Sequence, residues 1–212
     1  GALSAAAHDT GGISIADVNG DLTVSLLKAG GAITLGNIHS GALTFTHSVD
    51  GSNVIVGNDA AGGQASGIVT ITGESLNLND AIRTLGGTVN LISTSGAITT
   101  AGDAHIVPTA EDGTGTASGL VNVTAANGMT LQNITTTGAD NTIGVGSNAA
   151  AVTLTASAGD IHVGAITTTG GDATAGATDN RNGGNAGNIL LAATAGADIY
   201  LDGDIDLVAD NA

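Results

Sequence analysis

An aliphatic residue followed by a glycine seven positions later recurs from one end of this chain to the other. The spacing joins Ile13 to Gly20, Val89 to Gly96, Val121 to Gly128, Val152 to Gly159 and Ile189 to Gly196. After each glycine comes a second short aliphatic run, such as Leu22 and Val24, Ile161 and Val163, or Ile199 and Leu201. A third aliphatic often lies three residues further on, as in Leu35-Gly36-Asn37-Ile38 and Leu131-Gln132-Asn133-Ile134. Repetition on this scale describes units that cannot bury an apolar face alone and must stack on one another.

The strand starts read from this pattern are Ile13, Ile33, Val54, Val69, Val89, Val121, Val152 and Ile189. A base step of about 20 residues, with longer steps where loops intrude, fits turns of a parallel β-solenoid. The fold class expected is therefore all-β, a parallel β-solenoid with several inserted loops, with residues 1–212 as a single domain. An antiparallel sandwich of short strands is the alternative, but it requires no single recurring spacing. Within one turn, Val121, Val123, Met129, Leu131 and Ile134 are expected to point inward. Asn122, Thr124, Thr130 and Gln132 are expected to point outward.

Composition narrows the core. Thirty-five glycines and only two aromatics, Phe45 and Tyr200, leave medium-sized aliphatics to fill a thin interior. No helix is written with any strength, and no apolar run is long enough to cross a bilayer. The segments Gly57–Gly67, Asp103–Ser118, Gly138–Ala149 and Gly170–Asn188 read as loops, rich in Gly, Ala, Asn, Asp and Thr. The single proline, Pro108, falls in one of them, where no ladder N–H would be lost. The glycines of the seven-residue spacing are expected at corners needing positive φ. Strand patterning runs almost to Ala212 and Gly1–Gly12 is weakly patterned, so neither end is expected to carry a cap. A chain opening on Gly1-Ala2, with Met129 as its one methionine, is expected to be processed or partial.

Nineteen acids face three basic residues, Lys28, Arg83 and Arg181, for a net charge of −16. That balance argues against nucleic acid and anionic membrane surfaces, since both require basic neutralisation. The absence of cysteine excludes disulfides and thiolate metal sites.

The segments Val89-Asn-Leu-Ile-Ser-Thr-Ser-Gly-Ala-Ile98, Val152-Thr-Leu-Thr-Ala-Ser-Ala-Gly-Asp-Ile161 and Ile189-Leu-Leu-Ala-Ala-Thr-Ala-Gly-Ala-Asp-Ile199 carry a resemblance. In this strand, small-polar, glycine, strand style the chain resembles the repetitive shaft of filamentous-haemagglutinin-like exoproteins, exported by two-partner secretion. The resemblance covers most of Ile13 to Leu207 and implies a right-handed β-helix at the cell surface, acting in adhesion or biofilm cohesion. The Asn-Pro motifs of that family's secretion domain are missing, because Pro108 follows Val107. The partners implied are same-type chains or further solenoid, and host or matrix glycans or proteins.

Few residues suggest chemistry. Asp202, Asp204 and Asp206 alternate with Gly203, Ile205 and Leu207, so on one strand they would share a face about 7 Å apart. Such a row is the candidate calcium site, with Asp198 and Asp210 nearby. The glycine and glutamate positions of an EF-hand are not met, and a solvated acidic face is the alternative reading. Thr135-Thr136-Thr137 and Thr167-Thr168-Thr169 follow Ile134 and Ile166 and read as solvent-facing strand or corner; flat rows of this kind resemble ice-binding surfaces. Asn122 and Asn133 open Asn-x-Thr sequences. His8, His39, His47, His105 and His162 show no metal-binding spacing, and no nucleophile elbow or phosphate loop occurs. The expected protein is extracellular or at the cell surface, not an enzyme and without a cofactor other than possible calcium.

Overall fold

The structure, a computed structural model, describes residues 2–7, 11–17, 21–29, 32–37, 42–45, 55–57, 68–79, 81–102, 104–110, 117–141, 145–173, 182–194 and 196–208. Among them every regular element is a β-strand. The chain opens with β1 (Ala2–Ala7), β2 (Ile13–Asp17), β3 (Leu22–Ala29), β4 (Ile33–Asn37), β5 (Ala42–Phe45) and β6 (Ile55–Gly57). A three-strand unit then repeats. Its first two copies are β7 (Val69–Gly73), β8 (Ser75–Leu78), β9 (Ile82–Leu85), and β10 (Val89–Ser93), β11 (Ile98–Thr100), β12 (Ile106–Thr109). They are followed by β13 (Val121–Ala125), β14 (Met129–Leu131), β15 (Ile134–Thr137), and β16 (Val152–Ala156), β17 (Ile161–Val163), β18 (Ile166–Thr169). The last copy is β19 (Ile189–Ala193), β20 (Ile199–Leu201) and β21 (Ile205–Val208).

Each strand pairs in parallel with its counterpart one unit away, an arrangement consistent with a β-solenoid. The first strands form one sheet, β2-β4-β7-β10-β13-β16-β19. The second and third strands form two further ladders, joined through β3, whose eight residues pair with β5 at one end and β6 at the other. Register is strict: Val121 faces Val89 on one side and Val152 on the other, and Leu91, Val123 and Leu154 align likewise.

Alternation fills the interior from all three ladders. Val121, Val123, Met129, Leu131 and Ile134 are buried as expected, while Thr124 and Thr130 are exposed. Ile33, Val69, Val89, Val121 and Val152 form one column of fully buried side chains, and Ile106, Ile134 and Ile166 another. Each such side chain contributes roughly 1.5–3 kcal/mol of burial, and each is covered by the units on either side of it.

Several expectations are corrected. Val54 lies outside the described residues, and the strand after it, β6, pairs with β3 and β9 in the third ladder. Ile33 therefore pairs directly with Val69. Pro108 is not in a loop but inside β12, facing Thr84 of β9. Ile106 N and Ala110 N still donate to Asn133 O and Thr137 O. The position between them has no N–H to give, so the β12–β15 pairing is confined to Ile106 and Ile134. The weakly patterned N-terminus contains β1, which pairs with β3.

Of the corner glycines, Gly159 (φ 74°) and Gly196 (φ 77°) take the left-handed conformation. Gly96 and Gly128 do not, and are required by proximity: a Cβ on Gly128 would lie 2.8 Å from Asp160 O. The middle threonines of the two triplets are not solvent-facing either. Thr136 and Thr168 are fully buried, and their hydroxyls donate to Ala150 O and Gly187 O.

The described residues of the last two glycine-rich segments are layered like the strands. Gly138 N donates to Thr169 O, Asn141 N to Asp172 O and Ala149 N to Asn185 O. Backbones approach so closely that a Cβ on Gly171 would fall 2.0 Å from Ala139 O.

Candidate functional site

The acidic residues near the C-terminus do not share one strand. β20 ends at Leu201 and β21 starts at Ile205, so Asp202 and Asp204 lie in the corner between them and only Asp206 is on a strand. Gly203 sets this corner by seating against Ala165, where a Cβ would lie 2.6 Å from the backbone N. Asp202 N donates to Val163 O, and Asp204 O accepts from Ile166 N. The row expected along one strand face is thus split around a bend. Among the described residues, no three His, Asp or Glu side chains converge to hold a metal. Asp210 lies outside the described residues.

The same region contains a feature not singled out from the sequence. Along the second ladder the outward position passes from Asn77 to Thr99, Thr130, His162 and Tyr200. Thr99 Oγ1 donates to Asn77 Oδ1 at 2.8 Å, an ordinary polar rung. Two units later the rung is aromatic: His162 and Tyr200 stack with centroids 4.4 Å apart and planes 11° apart. Both occupy the middle of an aliphatic-x-aliphatic strand, Ile161-His-Val163 and Ile199-Tyr-Leu201. In-register parallel pairing places them face to face, so the repeat phase carried the signal.

Carboxylates surround the pair. Tyr200 Oη donates to Asp198 Oδ2 at 3.3 Å, and Asp198 N donates to Asp160 Oδ1 at 2.9 Å. The Asp202 carboxylate lies 3.9 Å from His162 Nδ1. The negative charge of Asp198, then that of Asp160, raises the Tyr200 phenol above its ordinary pKa, helped by the hydrogen bond to Asp198.

On the other side of His162 lies a shallow groove of about 330 Å³, lined by Ala97, Asn127–Thr130, Gly159, Asp160 and His162. Corner lengths explain it. Three residues join β13 to β14, whereas four join β10 to β11 and four join β16 to β17. The short corner is recessed between its neighbours, and Gly128 adds no side chain to fill the gap.

The last described unit exposes residues whose register partners are buried. Ile199, Leu201 and Ile205 are 40%, 48% and 39% exposed, against zero for Ile161, Val163 and Ile166 one unit earlier. Protein-family models, curated proteins and solved structures were compared with the chain, and none matches. Function is therefore argued from the described residues: polar flanks, an aromatic rung, a recessed corner and exposed apolar side chains on β20 and β21.

Asn122 and Asn133, the two Asn-x-Thr positions, both serve the stack. Asn122 Nδ2 donates to Asn90 Oδ1 at 3.0 Å, and Asn133 Oδ1 accepts the Ala165 amide at 3.0 Å.

Proposed function

We propose that this chain is a non-enzymatic extracellular structural protein, the shaft of a bacterial adhesin or fibre that mediates surface attachment or biofilm cohesion. The shaft is a right-handed parallel β-helix with a base turn of about 20 residues. The observation that carries this reading is the strict parallel register of all three ladders over successive units. A stack tied by backbone hydrogen bonds along its length and filled by aliphatic columns is stiff, and it grows in length simply by adding units. Right-handedness is favoured because parallel strands joined within one sheet cross over with that hand in nearly all proteins. The resemblance to filamentous-haemagglutinin-like shafts supports the cell-surface setting, as do the acidic, lysine-poor flanks. An antibody raised against the chain should label intact producing cells, and deleting its gene should lower attachment to a surface. Labelling seen only after lysis would refute the proposal.

One observation favours a second reading, a self-assembling filament, sheath or surface-layer subunit. Among the described residues β19, β20 and β21 each pair on one side only, with Leu201 and Leu207 exposed, and they offer the same parallel ladder that each inner unit uses. Strand addition by another copy would cover them. This reading expects concentration-dependent polymers in sedimentation velocity that Leu201→Lys and Leu207→Lys abolish. A monomer at every concentration tested would remove it.

A further inference from the structure

We propose that the recessed corner beside His162 is a binding subsite for an uncharged sugar unit of a glycan. The inference rests on the surface-attachment reading above and names the ligand class that one place on the shaft would take.

The groove is a built irregularity. Its floor is the short β13–β14 corner with the start of β14, Asn127–Met129, and its rims are Ala97 in the preceding unit and Gly159–Asp160 in the next. Gly159 lets this rim seat closely on the floor, because a Cβ there would lie 2.8 Å from Asn127 Oδ1 and 2.7 Å from Gly128 N. A volume of about 330 Å³ accommodates a sugar ring and part of a second, at the lower end of ordinary ligand sites.

The lining fits a hydroxyl-rich ring with one apolar face. His162 supplies a flat wall whose far side is stacked on Tyr200, so the imidazole is held in one orientation before a ligand arrives. Pre-ordering the wall lowers the entropy cost of binding. Asp160 uses Oδ1 to accept the Asp198 amide, and Oδ2 makes no hydrogen bond among the described residues. Asn127 uses only Oδ1, accepting from Gly128 N, which leaves its amide donors directed at no described residue. The Thr130 hydroxyl completes a set of donors and acceptors at the groove surface.

Charge selects among sugars. Asp160, Asp198 and Asp202 cluster around the rung on a chain of net charge −16, so a sulfated or uronic sugar would be repelled. Apolar ligands gain little, because the groove is shallow and partly polar. An amine would be drawn by the carboxylates, and this competing class is made an arm of the test.

Saturation-transfer NMR of the 212-residue chain would use the methyl glycosides of glucose, galactose, mannose and N-acetylglucosamine as probes. Glucuronic acid and 1,5-diaminopentane would run beside them. At least one neutral glycoside should receive saturation through its ring protons, with a dissociation constant on the order of 1 mM. His162→Thr restores the residue type of the preceding rung and Asp160→Asn keeps its shape. Each should weaken that binding at least tenfold while circular dichroism stays unchanged. No transfer to any neutral glycoside would overturn the proposal. So would equal transfer in the parent chain and both variants, or binding confined to the diamine. None of these results affects cell-surface labelling, so failure of the subsite and failure of the shaft reading are separable.

Discussion

Leu154 and Leu201 test where the stability of this protein resides. Leu154 lies in an inner unit, is fully buried, and is covered by Val123 on one side and Leu191 on the other. Leu201 is its counterpart in kind but belongs to the last described unit and is 48% exposed. Truncating Leu154 to Ala removes the full transfer free energy of the lost carbons. It also leaves a cavity that the rigid ladders cannot close, so the cost is about 3 kcal/mol. Truncating Leu201 forfeits roughly half of that transfer term and opens a dent to solvent instead of a cavity, for about 1 kcal/mol. Urea unfolding followed by circular dichroism should show the Leu154→Ala midpoint falling about three times as far. Hydrogen exchange should place the Leu154→Ala loss in the units of β13, β16 and β19, because a stacked unit draws its stability from its neighbours. Equal costs for the two variants would refute the reasoning, since the last unit would then have to be covered as fully as the inner ones.

The glycine layering gives a contrasted pair. Gly184→Ala should cost about 3 kcal/mol, because its Cβ would lie 1.8 Å from Ser147 O, whereas Gly36→Ala meets nothing within 4 Å and should be neutral or stabilising by about 0.5 kcal/mol in thermal melts. His105 Nδ1 is buried with no hydrogen-bond partner, one unit before Asn133, whose Oδ1 accepts the next unit's amide; His105→Asn should therefore gain about 1 kcal/mol, and an unchanged or lower melting temperature would count against it. Tyr200 is the only tyrosine, so its phenolate absorbance can be read directly. It should titrate above its ordinary value of 10.0 and move down in Asp198→Asn, because Asp198 is the largest cause of the shift. The sign for stability follows from an acid whose folded pKa is raised: the unfolded chain releases the proton first, so this contribution is present below about pH 10 and declines above it.

The columns were legible because alternation and a recurring glycine fix both face and phase. That is why Val121, Val123, Met129, Leu131 and Ile134 could be placed inside before any coordinates. Which ladder β6 joins was not legible for a physical reason. All three ladders use the same two-residue alternation, so a short aliphatic run does not reveal which of them it joins. Pro108 reads as a loop residue because proline is usually excluded from ladders, yet β12 keeps four residue pairs with β9 and only Ile106–Ile134 toward β15. Thr136 and Thr168 follow the same alternation as Ile134 and Ile166, and the inward position outweighed their polarity once a carbonyl was within reach. Gly, Ala and Asn runs read as loops by composition, but the same small residues permit close backbone layering among the described residues. The split of Asp202, Asp204 and Asp206 was hidden for a related reason. Gly203 looks like an alternating strand residue until it is seen to seat a corner against Ala165.

The same regularity that makes the fold readable limits where chemistry can reside. In a strict stack, each outward position meets a near-copy of itself one unit away, so polar side chains satisfy one another, as Asn122 does with Asn90 and Thr99 with Asn77. A flank of satisfied rungs has little left to offer a ligand. Unsatisfied groups and concave shape therefore arise where the repeat departs from its own rule. Around His162 two departures coincide: a corner one residue shorter than its neighbours, and a change from hydroxyl and amide to aromatic along one ladder. Either alone has a structural explanation, since a short corner is a local deletion and a stacked ring pair stabilises a ladder. Together they put a fixed flat wall beside a recess that still carries unused hydrogen-bonding atoms, and the regular flanks of this chain cannot provide that combination.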